Sequence, residues 1–484
     1  MFQDYERYDA LGLAELVRAR QVSAEDVLEA AIERVEKRNP ALNAVVARMY
    51  DEARAALRAG LPDGPFTGVP YLLKDLVVFC AGIPTTNGCA LFRDAVADHD
   101  SEIVRRMRRA GLVLFGKTNT PEFGLTTSTE PRLFGPTRNP WNVAFSAGGS
   151  SGGAAAAVAG GMVPAAHATD GGGSIRIPAS ACGLFGLKPT RARTPLGPDR
   201  GEGWSGASVG HAVTRTVRDS AALLDATAGP DVGDPYWAPP PRRPFLAEVG
   251  ADPGRLRVAV TTHGWSGIPV HEECKAAVAA AARLCEGLGH VVEEARPEWD
   301  EKARAKAALV VISAHTRAAL DERAQALGRA LTPDDVEPMT WPTAEYGRTA
   351  TASELAGAVN VVHAAGRAVA RFFTRYDLLL TPTRCDPTPR LGVLSSSNPD
   401  REAYTKALFA SIAFTSPFNG SGNPAMSVPL HWSAEGLPVG VQFVAAFGDE
   451  ATLFRLAAQL EQARPWAERR PPANRVTRDP YGEP

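Results

Sequence analysis

Ser174 directly follows three glycines in Asp170-Gly171-Gly172-Gly173-Ser174-Ile175-Arg176-Ile177-Pro178. A second glycine–serine loop, Ser146-Ala147-Gly148-Gly149-Ser150-Ser151-Gly152-Gly153, lies upstream and runs into an alanine-rich stretch. Consecutive glycines reach positive φ cheaply and let amide N–H groups converge on one point. Such a nest can hold a phosphate or a developing oxyanion. Neither loop contains GxxxxGK[ST] or GxGxxG, which disfavours phosphate. An oxyanion hole beside a serine nucleophile fits better. Each loop alone also reads as a tight turn against a helix, but two within one short stretch weaken that reading. A serine hydroxyl is a weak nucleophile at neutral pH and needs a base. His167 is near in sequence, yet it serves equally well as a packing residue. Lys74, in Val69-Pro70-Tyr71-Leu72-Leu73-Lys74-Asp75-Leu76-Val77-Val78-Phe79, lies in an apolar strand-like run that predicts burial. Burial lowers a lysine pKa. At the ordinary value only about one lysine in 2,500 is neutral at pH 7, and lowering it to about 7–8 makes a competent base. The competing assignment for Lys74 is a buried ion pair with Asp75 or another carboxylate. Gly148–Gly152 also satisfies G-x-S-x-G, the nucleophile elbow of α/β-hydrolases. That fold needs an acid and then a histidine downstream, and nothing around His431 is distinctive.

These residues must be positioned by a large framework. The chain has 484 residues, 44% hydrophobic and 22% charged, an ordinary globular composition. Length alone suggests about three domains. Lys plus Arg number 52 against 54 Asp plus Glu, a net charge of −2, which argues against nucleic acid as the main partner. The six cysteines form no CxxC pair and no ligand cluster, so neither a disulfide scaffold nor a zinc site is expected. The N-terminus has no secretory h-region and no stretch suits a spanning helix, so the expected location is cytoplasmic, with no membrane partner.

Residues 8–60 read as helices, with Ser23 a capping signal and Pro40 a stop. Short apolar runs at 67–79, 111–117, 255–262 and 376–383 suit buried strands. Helical patterns fall between them at 100–110, 153–161, 216–228 and 272–288. Residues 295–375 read as mostly helical with breaks at 331–343. The alternation predicts an α/β fold with a mixed sheet. The Pro-rich segment 229–244 is a candidate boundary, but strand candidates on both sides of it can share one sheet. The tail from Pro465 reads as a surface wrap or frayed end.

The stretch Gly148 to Thr190 closely resembles the amidase signature. The resemblance extends to GVPYLLKD at 68–75, GKTNTPEFG at 116–124, TRNPWN at 137–142 and TRTVRDSAALLDATAG at 214–229. It continues in LLLTPT at 378–383, GNPAMSVP at 422–429 and GLPVGVQFVAAFGDE at 436–450, and so covers most of the chain. It implies one α/β/α domain over 1–484 with a mixed, twisted sheet: N-terminal helices (1–64), a signature core (65–228), the rest of the sheet with substrate-pocket helices (245–464), and a tail (465–484). It implies Ser174 as nucleophile, Ser150 as a bridging cis-serine and Lys74 as base. The N–H groups of Gly171, Gly172, Gly173 and Ser174 would form the oxyanion hole, with Asp170 and Arg176 bracing the loop. No cofactor and no metal are implied.

Two departures stand out: the common motif reads D-T-G-G-S where this chain has Gly171, and His167 replaces a small residue. The DGGGSIRIPA form is similar to that of 6-aminohexanoate cyclic-dimer hydrolases and related bacterial amidases. The implied activity is hydrolysis of a small-molecule carboxamide, linear or cyclic, with possible ester or carbamate cleavage, by a monomer or homodimer. The alternatives are the glutaminase subunit of a tRNA amidotransferase and a non-catalytic amidase-like binding or scaffold protein. Trp341 and Tyr346, in the divergent stretch 300–350, are the aromatic candidates for the substrate pocket.

Overall fold

The computed structural model describes residues 2–472. The last part of the expected tail, 473–484, lies outside the described residues. The strands in chain order are β1 (Val45–Arg48), β2 (Pro70–Lys74), β3 (Val113–Thr118), β4 (Arg138–Asn139), β5 (Asn142–Ser146), β6 (Ala165–Asp170) and β7 (Phe185–Lys188). They continue as β8 (Val209–Thr214), β9 (Arg257–Val260), β10 (Val291–Glu294), β11 (Leu378–Pro382), β12 (Ala425–Trp432) and β13 (Pro438–Ala445). Apart from the small β4–β5 hairpin they form one 11-stranded sheet in the order β1-β3-β2-β6-β8-β7-β12-β13-β11-β9-β10. The sheet is mixed: β3, β2 and β6 run parallel to one another, as do β11, β9 and β10. The central pairs are antiparallel.

Strands β2, β3 and β6 are buried along their whole lengths, because helices cover both faces of the parallel section. The helix Gly152–Ala159 is buried at every position. Its alanines let it lie close to the sheet, so the glycine–serine loop before it is drawn into the interior. The sheet passes the 229–244 connector without a break. Phe185, Leu187 and Leu224 from one side of it share a hydrophobic cluster with Phe245, Phe454 and Trp466 from the other. Tail residue Trp466 is buried, and its indole N–H donates to the Arg215 carbonyl at 2.9 Å. All six cysteines are buried and unpaired.

Three local readings need correction. The helix from Ala24 does not stop at Pro40 but runs to Leu42, and Asn43 closes it in the left-handed region with φ 49°. Proline here falls in the last turn, where its missing N–H removes one bond only. Asn39 completes the stop, its side-chain oxygen accepting from the N–H groups of Ala44 and Val45, each at 2.8 Å. The N-terminal segment is also not wholly helical, since β1 pairs antiparallel with β3 at the sheet edge. A four-residue edge strand is too short to carry a readable alternation. Finally, the apolar run 69–79 is strand only as far as Lys74. Val77 adopts φ 51° and turns the chain out of the sheet.

Candidate active site

Parallel neighbours β2 and β6 pair through Leu72 and Ala166. Their carboxyl ends bring Lys74 beside Thr169 and Asp170, the end of an open α/β sheet at which ligands bind. Lys74 is completely buried. Its Nζ donates to Ser150 Oγ at 2.7 Å and to Thr169 Oγ1 at 2.9 Å. Asp75 is not its partner: that carboxylate faces Lys117 at 3.4 Å and accepts from Thr86. Burial therefore holds the Lys74 pKa well below the ordinary lysine value, and the nearby charge of Asp170 only partly opposes this.

Ser150 follows a cis peptide bond from Gly149. It lines one cleft with Ser174, Thr169 and Gly171. His167, the other candidate base, is fully buried behind this cluster. Its Nδ1 accepts from the Lys74 backbone N–H at 3.4 Å, and burial above all pushes its pKa down to about 3. It lines no part of the cleft. His431, which an α/β-hydrolase reading would require, pairs with Glu273 at 3.3 Å and is likewise absent from the cleft lining.

Asp170 organises the loop that carries Ser174. Its Oδ1 accepts from the Gly173 N–H at 2.7 Å, and its Oδ2 from the Ile175 N–H at 3.1 Å. Arg176 clamps both oxygens, with Nε 2.9 Å from Oδ2 and Nη2 2.8 Å from Oδ1. The same guanidinium donates to the Thr415 carbonyl, Gln442 and Asn419, so none of its reach is spare. Burial works against ionisation of Asp170, but Arg176 overcomes it and holds the carboxyl well below the usual range. Asp170 and Arg176 thus brace the loop.

The Gly173 N–H is committed to Asp170, which removes it from the expected set of oxyanion donors. Among the described residues no acceptor meets the N–H groups of Gly171, Gly172 or Ser174. Gly173 serves the loop differently. It sits at φ +132°, and a Cβ there would lie 2.5 Å from Thr415 Oγ1. Only glycine fits.

The space within the cleft, its open mouth included, is about 650 Å³. Leu76, Val77, Phe79, Phe123, Leu196 and Trp204 give it apolar walls, and Asp199 and Arg200 add charge. Three of these wall residues, Val77, Phe123 and Trp204, adopt φ of 50–51°. Left-handed backbone at non-glycine residues is costly and collects at functional sites.

The structure does not bring Trp341 and Tyr346 here. Both lie on the helix Thr340–Thr349. Trp341 packs into a satellite cluster with Leu91, Phe123 and Val336, and Tyr346 is 38% exposed. Aromatic type and sequence divergence pointed to the wrong segment, because the lining aromatics come from loops following strands. The missed residues were Thr169, Phe123 and Trp204. Their available signals were the position beside Asp170, the motif TPEFG, and a tryptophan set between glycines in Gly203-Trp204-Ser205-Gly206.

The Amidase family model matches residues 26–454. The chain is 42% identical over 475 residues to the 6-aminohexanoate-cyclic-dimer hydrolase of Pseudomonas sp. strain NK87, covering 96% of each chain. A solved structure of 6-aminohexanoate cyclic dimer hydrolase complexed with substrate superimposes with TM-score 0.92 at 41% identity, covering 98% of this chain and 100% of that one. A glutamyl-tRNA(Gln) amidotransferase subunit from Thermotoga maritima gives TM-score 0.76 at 27% identity, with 96% of each chain covered. The chain belongs to the amidase signature family. It is an amidohydrolase, a hydrolase of non-peptide carbon–nitrogen bonds. No described helix is long and apolar enough to cross a membrane.

Proposed function

We propose that this amidohydrolase cleaves a small-molecule carboxamide, linear or cyclic, to carboxylate and amine through an acyl-enzyme on Ser174. The supporting observation is a buried lysine, its pKa pushed well below the ordinary value by burial, 2.7 Å from a serine that shares one cleft with Ser174. Ser174 attacks the carbonyl carbon as its proton passes to Ser150, while Ser150 gives its own proton to Lys74 Nζ. The N–H groups of Gly171, Gly172 and Ser174 are the available donors for the tetrahedral oxyanion. Collapse breaks the carbon–nitrogen bond, and the proton returns through Ser150 to the leaving amine. Water then attacks the acyl-enzyme by the same relay, which releases the carboxylate and restores Ser174.

The apolar cleft walls suit methylene chains, and the similarity to 6-aminohexanoate-cyclic-dimer hydrolases points to amides linked by such chains. This favours a small-molecule amide over glutamine, whose side chain is short and polar. A fluorophosphonate probe is expected to label Ser174 covalently and to lose that label in Ser174→Ala. Persistent labelling at another serine overturns the assignment. A panel of linear and cyclic alkyl amides should be turned over by the same chain. Glutaminase activity that appears only with a second, co-purifying protein would instead establish the amidotransferase alternative.

A further inference from the structure

Beside the cleft lies a second, partly open pocket, and the two share Gly171 and Trp204 as wall residues. The chamber is largely aliphatic, with Val311, Ile312, Val359 and Val362 among its lining. Its one charged lining group, Arg304, already has both sides of its guanidinium on Glu301, at 2.7 Å each. The chamber therefore offers no unpaired charge to an anion.

The partition between the two spaces is the Trp204 indole. It lies so close over Gly171 that a Cβ at that glycine would stand 2.7 Å from ring atoms Cε3 and Cζ3. This gives a physical reason for glycine where the common motif has threonine: the ring occupies the volume of the missing side chain. The backbone carrying the ring is fixed and strained. Trp204, Ser205 and Gly206 take φ of 50°, 48° and 82° in succession. Around them, Arg191 Nε donates to the Gly206 carbonyl at 2.8 Å and Asn419 Nδ2 to the Ala207 carbonyl at 3.0 Å. Ser205 Oγ and His315 Nε2 lie 3.2 Å apart. Asn419 also donates to Asp170, so the partition loop and the nucleophile loop share one anchor. Three left-handed residues held from several directions make an over-determined support, and the group they aim is a large apolar plate.

We propose that Trp204 is the specificity-determining wall of the catalytic cleft, and that the chamber behind it is a latent subsite for the aliphatic chain of an amide. The inference rests on the reading of the cleft as an amide site. Trp204 closes the cleft beside the nucleophile loop and so sets the longest straight chain accommodated. Without the ring, cleft and chamber become one continuous apolar channel.

The test uses n-alkanamides of four to ten carbons. Their binding is followed by calorimetry to Ser174→Ala and to Ser174→Ala/Trp204→Ala, and their hydrolysis by the chains that retain Ser174. With Trp204 present, affinity and kcat/KM stop rising at a chain-length cut-off. With Trp204→Ala the cut-off moves to longer chains, with a gain of about fourfold for each further methylene buried. Ala308→Trp, which refills the chamber, returns the Trp204→Ala profile to the original cut-off. Trp204→Leu keeps an apolar side chain in place and is read in the same way should Trp204→Ala fail to fold. An unchanged cut-off, a loss equal at every chain length, or no reversal by Ala308→Trp overturns the proposal. A moved cut-off in binding with no hydrolysis by any Ser174-bearing chain would instead refute the amidohydrolase mechanism and leave the partition standing.

Discussion

A lysine acts as a base only where its ammonium form is costly, and Lys74 meets that condition without a carboxylate partner. Its contacts are two hydroxyls, Ser150 and Thr169. Neutral Lys74 accumulates above its lowered pKa, so kcat/KM should rise with pH through that value and level off well below the ordinary lysine value of 10.5. Thr169→Val removes one of the two hydroxyls and should shift that limb, whereas a role confined to packing would leave it in place. The same group works against folding. Between its lowered and ordinary pKa values the unfolded chain binds the extra proton, so stability rises with pH across that window. Lys74→Met should abolish turnover and make that rise shallower, as urea titrations at a series of pH values would show. An unchanged slope would mean that Lys74 is protonated when buried. Gly171 supplies a second residue-scale prediction. Its φ lies outside the left-handed range, so alanine can adopt the backbone and collides only with the Trp204 ring. Gly171→Ala should cost about 1–3 kcal/mol in transition-state stabilisation, as overpacking does, and Trp204→Ala should largely restore kcat/KM. No rescue would mean that the glycine is needed for the loop itself.

At the scale of elements, the carboxyl ends of β2 and β6 and the loop before the Gly152–Ala159 helix bring Lys74, Thr169 and Ser150 together, and most of these elements were legible. The apolar runs of β2, β3, β9 and β11 stood out because strands covered on both faces read as unbroken hydrophobic stretches. The two glycine loops were equally visible. Less visible were features that depend on contacts distant in sequence. The commitment of the Gly173 N–H to Asp170 follows from how Arg176 and Asn419 hold that carboxylate while Gln442 holds Arg176, and two of those three lie far down the chain. Trp204 was missed for a similar reason: the ring's place over Gly171 is a contact distant in sequence, and a loop between strands has no periodicity to announce it. The Asp170–Arg176 clamp also makes a stability prediction. Arg176→Met leaves a fully buried carboxylate without its cation and should destabilise the fold by about 3–5 kcal/mol, measured by chemical denaturation. Asp170 is held below its usual pKa, so its contribution is present above the unfolded carboxylate value and lost as pH falls through the folded one. Wild-type stability should therefore drop on strong acidification, and Arg176→Met should reduce the part of that drop due to Asp170. Wild-type stability in the variant would show that the clamp is ornamental.

Across the whole molecule, the 229–244 connector resembles a domain boundary in composition, yet the structure crosses it with a single sheet. Strand β7 lies between β8 from its own side and β12 from the far side. Removing residues 245–472 would strip β7 of a neighbour and expose Phe185, Leu187, Val217 and Leu224, all buried in the shared cluster. The loop carrying Ser174 would lose Thr415, Asn419 and Gln442, the far-side partners of Arg176. The connector itself is largely exposed, with Val232 and Trp237 facing solvent. Covalent continuity there is thus separable from the non-covalent unity of the fold. Cleavage by an engineered protease site in place of Val232-Gly233 should leave two fragments that co-elute in size-exclusion chromatography, unfold in one transition and retain turnover. The fragment 1–228 expressed alone should fail to fold and take no fluorophosphonate label at Ser174. A soluble, labelled 1–228 would show that the signature core is an independent unit, and the far strands of the sheet would then serve the substrate rather than the scaffold.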